Sequence, residues 1–190
     1  MKKKKGEILV VAAPSGTGKT TIVKRILKEF PQIIFSISAT TRKKRNNETH
    51  GVDYYFISEK EFKQKIERNE FAESERFYDY YYGTLKRFID ENIEAGKSVL
   101  LEVDVNGALS IKKNYPEAHL IFIVPPSAKE LVKRLMARNT ENQTDLKKRI
   151  ERAKMELSIK DKFDYFVDNS DLEKAVEQTR ILINNILNKE

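Results

Sequence analysis

Ala13-Pro14-Ser15-Gly16-Thr17-Gly18-Lys19-Thr20 has the residue types and spacing of a loop that grips phosphate, with alanine where the pattern opens on glycine. Gly16 and Gly18 let the backbone turn its N–H groups inward toward phosphate oxygens. Alanine can hold position 13 provided its φ is negative. Lys19 adds a point charge suited to β- and γ-phosphates, and Thr20 offers a hydroxyl to the Mg²⁺ that accompanies a triphosphate. Thr21 then continues into a helix, whose unpaired N–H groups and positive dipole end favour the same anion. The flanks required by the motif are both present, an apolar run before it and helical periodicity after it, which argues against a chance glycine-rich turn.

Other residues could serve the partner of that triphosphate. Glu102 and Asp104 are two apart in an apolar run, so on a strand both would leave one face, near the end where ligands collect on parallel sheets. They could hold Mg²⁺ waters or a ligand, or they could form a plain ion pair with lysines. Arg42 and Arg45 are three apart and suit a phosphate bound by guanidinium forks, with tyrosine hydroxyls as neutral donors. The same Arg-Lys-Lys-Arg run could equally be a solvated basic turn. Glu73 could be an exposed helix-end acid or a buried acceptor. His50 and His119 are the only histidines and have no partners at metal spacing.

These groups need a scaffold. Ile8 to Ala13 reads as a strand buried on both faces, and Ile22, Val23, Ile26, Leu27 and Phe30 predict a helix that stops at Pro31. Between about 35 and 84, aromatic and β-branched clusters flank a short helix at 58 to 68, opened by Ser58 and Glu61 in capping-box spacing. A helix is expected over 85 to 95, ending at Gly96, with buried strands over 98 to 105 and 120 to 124. Ser127 and Glu130 begin a further helix, 139 to 144 reads as a polar loop, and an Arg-rich helix follows to about 159. A late strand at 163 to 167 and a helix at 171 to 187 close the chain. The alternation predicts an α/β fold with a parallel sheet.

Bulk properties narrow the class. The 190 residues, 39% hydrophobic and 34% charged, suit one core of ordinary composition. A net charge of +7 fits a polyanionic partner, but lysines mixed with acids along the helices read as a solvated surface rather than a nucleic-acid stripe. The absence of cysteine excludes disulfides and thiolate chemistry. No apolar stretch approaches the length of a membrane helix, so a cytoplasmic protein is expected, binding neither nucleic acid nor membrane.

With the loop placed, Ser36-Ile-Ser-Ala-Thr-Thr-Arg-Lys-Lys-Arg45, Glu48-Thr-His-Gly-Val-Asp-Tyr54, Phe71-Ala-Glu73 and Tyr82-Gly-Thr84 resemble guanylate kinase. The resemblance continues through Glu102-Val-Asp104, Pro125-Pro126-Ser127, Arg134 to Arg138, Arg149 and Asp168-Asn169, in order along the chain. It implies a three-layer P-loop core from 1–34, 85–126 and 158–190. It also implies an inserted, mainly β GMP-binding subdomain at 35–84 and a helical lid at 127–157. By the same resemblance ATP and Mg²⁺ would meet the loop from Ala13 to Thr21, with Arg134, Arg138 and Asn169 also near ATP. Arg42, Arg45, Tyr54 and Tyr82 would hold the GMP phosphate. Ser38, Glu73, Thr84 and Asp104 would read guanine, with Glu48, Gly83 and Glu102 in the same site. Lys19, Arg45, Arg138 and Arg149 would surround the transferring phosphoryl group. Lys44 and Asn47 replace a common proline and glycine, which implies a looser turn between Arg45 and Gly51.

The reaction implied is transfer of the γ-phosphoryl group of ATP to GMP, with dGMP a further candidate acceptor, by a monomer or homodimer. Guanine agrees with the residues: its N1 and N2 hydrogens face an acceptor such as Glu73, where adenine would present a lone pair. Three other readings remain at this stage. They are a non-catalytic binding module built on the same fold, a kinase for another monophosphate, and a nucleic-acid binder.

Overall fold

The computed structural model describes residues 5–77, 79–137 and 143–188; side chains at 128, 134, 135, 137, 143–147 and 149 lie outside that description. Five parallel strands form the main sheet in the order β2-β7-β1-β8-β9: β1 (Ile8–Ala12), β2 (Ile34–Ser36), β7 (Val99–Val103), β8 (His119–Val124) and β9 (Tyr165–Asp168). The continuous apolar runs exist because the sheet is covered on both faces. Ile8, Val10 and Ala12 face α3 (Lys86–Glu94) and α4 (Val105–Asn114), meeting Ile89, Ile93, Ala108 and Ile111. Leu9 and Val11 face the opposite way, onto Ile22, Val23 and Ile26 of α1 (Lys19–Glu29) and Val176 and Ile183 of α7 (Leu172–Leu187). The three-layer α/β core is therefore present as read from the sequence.

A second sheet, β4-β3-β6-β5, holds β3 (Ala39–Thr40), β4 (Tyr55–Phe56), β5 (Phe71–Phe77) and β6 (Tyr80–Leu85), with α2 (Glu59–Glu67) against it. Ser58 caps α2 by accepting from Glu61 N at 3.1 Å. The small core here is aromatic. Phe62 is fully buried and stacks on Phe71 at 4.4 Å, with Tyr81 at 5.4 Å. Gly83 is needed beneath them, because a Cβ there would lie 2.9 Å from the Phe71 ring and 3.0 Å from Phe62. Phe35 and Ser36, expected within the insertion, instead pair with β7 in the main sheet.

The strand expected over 98 to 105 ends at Val103, and the expectation that Glu102 and Asp104 share a strand face is corrected accordingly. Asp104 is the N-cap of α4, its carboxylate accepting from Gly107 N at 2.7 Å. Val103 and Val105 alternate with Glu102, Asp104 and Asn106 across the junction of strand and helix, and that strand-like alternation masks the Val105, Ala108, Ile111 spacing, so α4 escaped the sequence reading. The later helices fall as α5 (Ala128–Ala137), capped by Ser127 accepting from Glu130 N, and α6 (Gln143–Ser158). The loop expected at 139 to 144 lies outside the described residues up to 142, while 143 and 144 belong to α6.

Phe62→Ala is expected to cost about 3–5 kcal/mol, because a buried ring leaves a cavity that its neighbours cannot fill. A urea titration followed by circular dichroism should show that loss as a lower midpoint.

Candidate functional site

The loop between β1 and α1 turns as its glycines allow. Gly16 and Gly18 have φ of 89° and 95°, in the left-handed region that side chains avoid. Among the described residues Asn69 is the only non-glycine with positive φ, so Ala13 keeps the negative φ that lets it replace glycine. The loop is braced from behind. Thr17 donates its hydroxyl to Pro14 O at 2.7 Å, and Asn169, 6% exposed, donates Nδ2 to Thr17 O at 2.6 Å. Asn169 thus supports the loop's shape from the end of β9, beside Gly18, where a Cβ would come within 3.0 Å of its amide.

Parallel pairing sets Glu102 opposite Val11, at the mouth of the loop. Lys19 donates Nζ to Val103 O and lies 4.0 Å from Glu102 Oε1, while Thr20 donates its hydroxyl to Glu102 at 2.5 Å. A hydroxyl and a carboxylate so placed are hard oxygen donors of the kind Mg²⁺ prefers, so the residues present fit that ion. Among the described residues no cluster of three or more His, Cys, Asp or Glu could form an all-protein metal cage.

One cavity of about 330 Å³ runs from the loop to a group of acidic and aromatic side chains, lined by Ser38, Tyr54, Glu73, Tyr82 and Asp104 among others. Glu73 is 8% exposed and accepts from the Thr84 hydroxyl at 2.6 Å. Burial pushes its carboxyl up to about 7, against the lowering effect of that hydrogen bond. Gly107 makes room for it: a Cβ there would stand 3.0 Å from Glu73 Oε2 and 3.3 Å from Asp104 Oδ1. Gly83, next to Thr84 on β6, lets the rings of the small core pack close against its Cα.

The basic side is already ordered. Arg42 forks onto Glu48 at 2.7 and 3.0 Å, and its guanidinium carbon lies 5.5 Å from the Tyr54 ring centre. Glu48 also accepts from Arg45 N at 2.8 Å, and Glu48 N donates to Arg45 O at 3.1 Å. The turn that Lys44 and Asn47 were expected to loosen is therefore fastened by Glu48. Tyr54 and Tyr82 stand edge to face at 6.1 Å, and burial with the nearby Glu102 pushes the Tyr54 hydroxyl up to about 12, so it stays a neutral donor. The Arg45 side chain is exposed. Arg134 and Arg149 stand on α5 and α6 with side chains outside the described residues, and Arg138 is itself outside them.

Sequence reasoning missed a cluster next to Asp104. Arg152 of α6 donates Nη2 to Glu75 at 2.8 Å and Nε to Glu156 at 2.8 Å, and lies 3.4 Å from Asp104 Oδ2. Burial and the hydrogen bond to Asp104 push the Glu75 carboxyl up to about 8. Burial alone would raise Asp104, but the proton of Glu75, the Gly107 N–H and Arg152 together hold it below the ordinary value. Two carboxyls so close share one proton. Glu75 alternates with Glu73 along β5, and that i, i+2 spacing was the one available signal.

A glycine-turned phosphate loop at the carboxyl ends of a parallel sheet, joined by one cavity to buried carboxylates, defines a P-loop nucleotide-binding protein with a second substrate pocket. The family model described as guanylate kinase matches residues 5–186. A guanylate kinase of Thermotoga maritima is 47% identical over 91% of this chain and 84% of its own length. One from Clostridioides difficile is 44% identical over 98% and 91% respectively. The crystal structure of guanylate kinase from Anaplasma phagocytophilum superposes with a TM-score of 0.81 at 30% identity, covering all of this chain and 90% of that one. The chain belongs to the guanylate kinase family.

The raised carboxyls have a consequence for stability. Glu73 and Glu75 bind protons more tightly folded than unfolded, so their contribution is fully present below the unfolded value near 4.5 and is lost as pH rises through about 7 to 8. Calorimetry on the ligand-free protein should show the melting temperature falling across that window, and Glu73→Gln should flatten the fall.

Proposed function

We infer that this chain transfers the γ-phosphoryl group of ATP to GMP, giving ADP and GDP, with its two substrates held at opposite ends of the cavity. The observation that carries the reading is the continuity of that cavity, from Lys19 and Thr20 to the buried Glu73–Thr84 pair. Phosphates lie against the loop amides and the N-terminus of α1, where fixed dipoles favour anions without reorganisation. Lys19 exchanges its bond to Val103 O for phosphate oxygens. When bound, Mg²⁺ would neutralise charge on the donor phosphates, held by the Thr20 hydroxyl with Glu102 beside it.

At the other end Glu73 accepts from guanine N1–H and N2–H, with Ser38, Thr84 and Asp104 completing the base site. Binding draws Glu73 to its ionised form, since only the carboxylate accepts at both oxygens. Adenine would leave that buried charge unpaired, a penalty of about 1–3 kcal/mol or more. Arg42, Arg45, Tyr54 and Tyr82 hold the GMP phosphate. Glu48 is a holder of Arg42 and Arg45 rather than a ligand, because a carboxylate repels phosphate. The attacking phosphate oxygen is already anionic near neutral pH, as its second pKa is about 6, so no strong general base is required. Rate then comes from in-line positioning and from cationic groups around the transferring phosphoryl, Lys19 and Arg45 with Arg138 and Arg149 from the lid.

The division into a core, a GMP-binding insertion and a lid follows from the same reading, with the lid excluding water from the bound triphosphate. Among the described residues no helix is long and apolar enough to cross a membrane, which agrees with a cytoplasmic enzyme of purine metabolism.

Two measurements test this. Lys19→Ala should lower kcat by about a hundredfold or more in a coupled ADP-release assay, because a half-buried charge opposite developing phosphate charge is removed. Glu73→Gln should cut the preference for GMP over AMP by at least about tenfold, and an unchanged preference would remove the guanine assignment.

A further inference from the structure

Arg152 gathers contacts from three parts of the chain. It stands on α6, in the segment proposed as the lid, and its Nη2 reaches Glu75 Oε1 on β5 at 2.8 Å. The same nitrogen lies 3.4 Å from Asp104 Oδ2, at the cap of α4. Its Nε is held by Glu156 at 2.8 Å, and its guanidinium carbon lies 4.6 Å from the centre of the Phe77 ring. Arg152, Glu156 and Phe77 line the cavity that also holds Glu73 and the phosphate loop. Asn106 adds a longer bond from Nδ2 to Glu75 Oε1 at 3.4 Å.

Charge explains why arginine stands there. Glu75, Asp104 and Glu156 converge on this one guanidinium, Glu156 being only 3% exposed. Glu75 Oε2 is buried with no donor among the described residues, so its carboxyl depends on Asp104 and on the arginine next to it. A planar fork can serve several carboxylates and still stack on an aromatic face, which an ammonium cannot do. Without it, three acids would compete for protons in a partly dry pocket, and Asp104 would lose its nearby guanidinium and the contact at Oδ2, leaving the Gly107 N–H on Oδ1 and the Glu75 carboxyl to set its direction.

We propose that Arg152 is a positioning residue for the acceptor: by bridging Glu75 and Asp104 it fixes the carboxylate that meets the base and ties α6 to the acceptor pocket. This rests on the reading that Glu73 and Asp104 contact guanine. Arg152 touches no reacting atom, so its effect belongs in acceptor binding rather than in the chemical step.

Steady-state kinetics on Arg152→Met, which keeps the stem against Phe77, tests this. KM for GMP should rise about tenfold, with kcat within about threefold and KM for ATP within about twofold of the parent. Arg152→Lys, keeping charge without the fork, should recover part of that loss. If Arg152→Met fails to fold, Glu75→Gln/Arg152→Met relieves the crowded charge, and its KM for GMP should still be raised several-fold. A KM for GMP within about twofold of the parent in whichever of these folds, whatever the melting temperature does, would mark the arginine as structural only and overturn the proposal. Glu73→Gln run in parallel separates the two readings. If it loses the preference for GMP over AMP while Arg152→Met binds GMP normally, the Arg152 proposal alone falls; if it keeps that preference, the base assignment falls and takes this proposal with it.

Discussion

The parallel pairing of β1 with β7 is the constraint on which the site depends. It fixes Val11 against Glu102 and Ala12 against Val103, so the phosphate loop leaving β1 and the acidic end of β7 emerge side by side. A slip of one residue would exchange the faces of every side chain on a strand, and both faces here are packed against helices. The hydrophobic core therefore holds the register, and the register holds the chemistry. Glu102 meets Lys19 and Thr20, more than eighty residues away in the chain, because of that pairing.

Around this junction the charge is sorted by end. Lys19, the loop amides and the start of α1 make one end positive, while Glu73, Asp104, Glu75 and Glu156 make the other acidic. A nucleotide pair has the matching distribution, with anionic phosphates between the substrates and N–H donors on the guanine edge. Burial holds the Glu73 carboxyl up to about 7, so a partner that donates N–H groups to it would draw it to the ionised form. The basic insertion loop is arranged in advance by Glu48, which holds Arg42 in a forked pair and fastens the backbone of Arg45. Preordering of that kind lowers the entropy that a phosphate must overcome on arrival.

Much of this was legible in the residue order. The loop from Ala13 to Thr20, the alternation of strands with helices, the aromatic insertion and the caps at Ser58 and Ser127 are local, and local propensity and spacing decide them. The resemblance extended that reading to Arg42, Tyr54, Glu73 and Asp104. What stayed hidden were contacts between segments far apart in the chain. Arg152 looked like one more charge on an Arg-rich helix, Glu75 carried no signal beyond its spacing from Glu73, and α4 was concealed because the strand-like alternation of β7 ran on into its first turn.

The sequence by itself determined that a glycine-turned loop of phosphate-binding type would stand before a helix at residues 13 to 20, because such a loop needs only neighbours in the chain. The tertiary structure alone decided which carboxylates share a proton, which cation attends them and how one cavity unites the loop with the buried carboxylates. Those properties depend on burial and on distances between β5, the cap of α4 and α6. No pattern along one segment carries them, because desolvation and charge proximity arise only when distant segments pack.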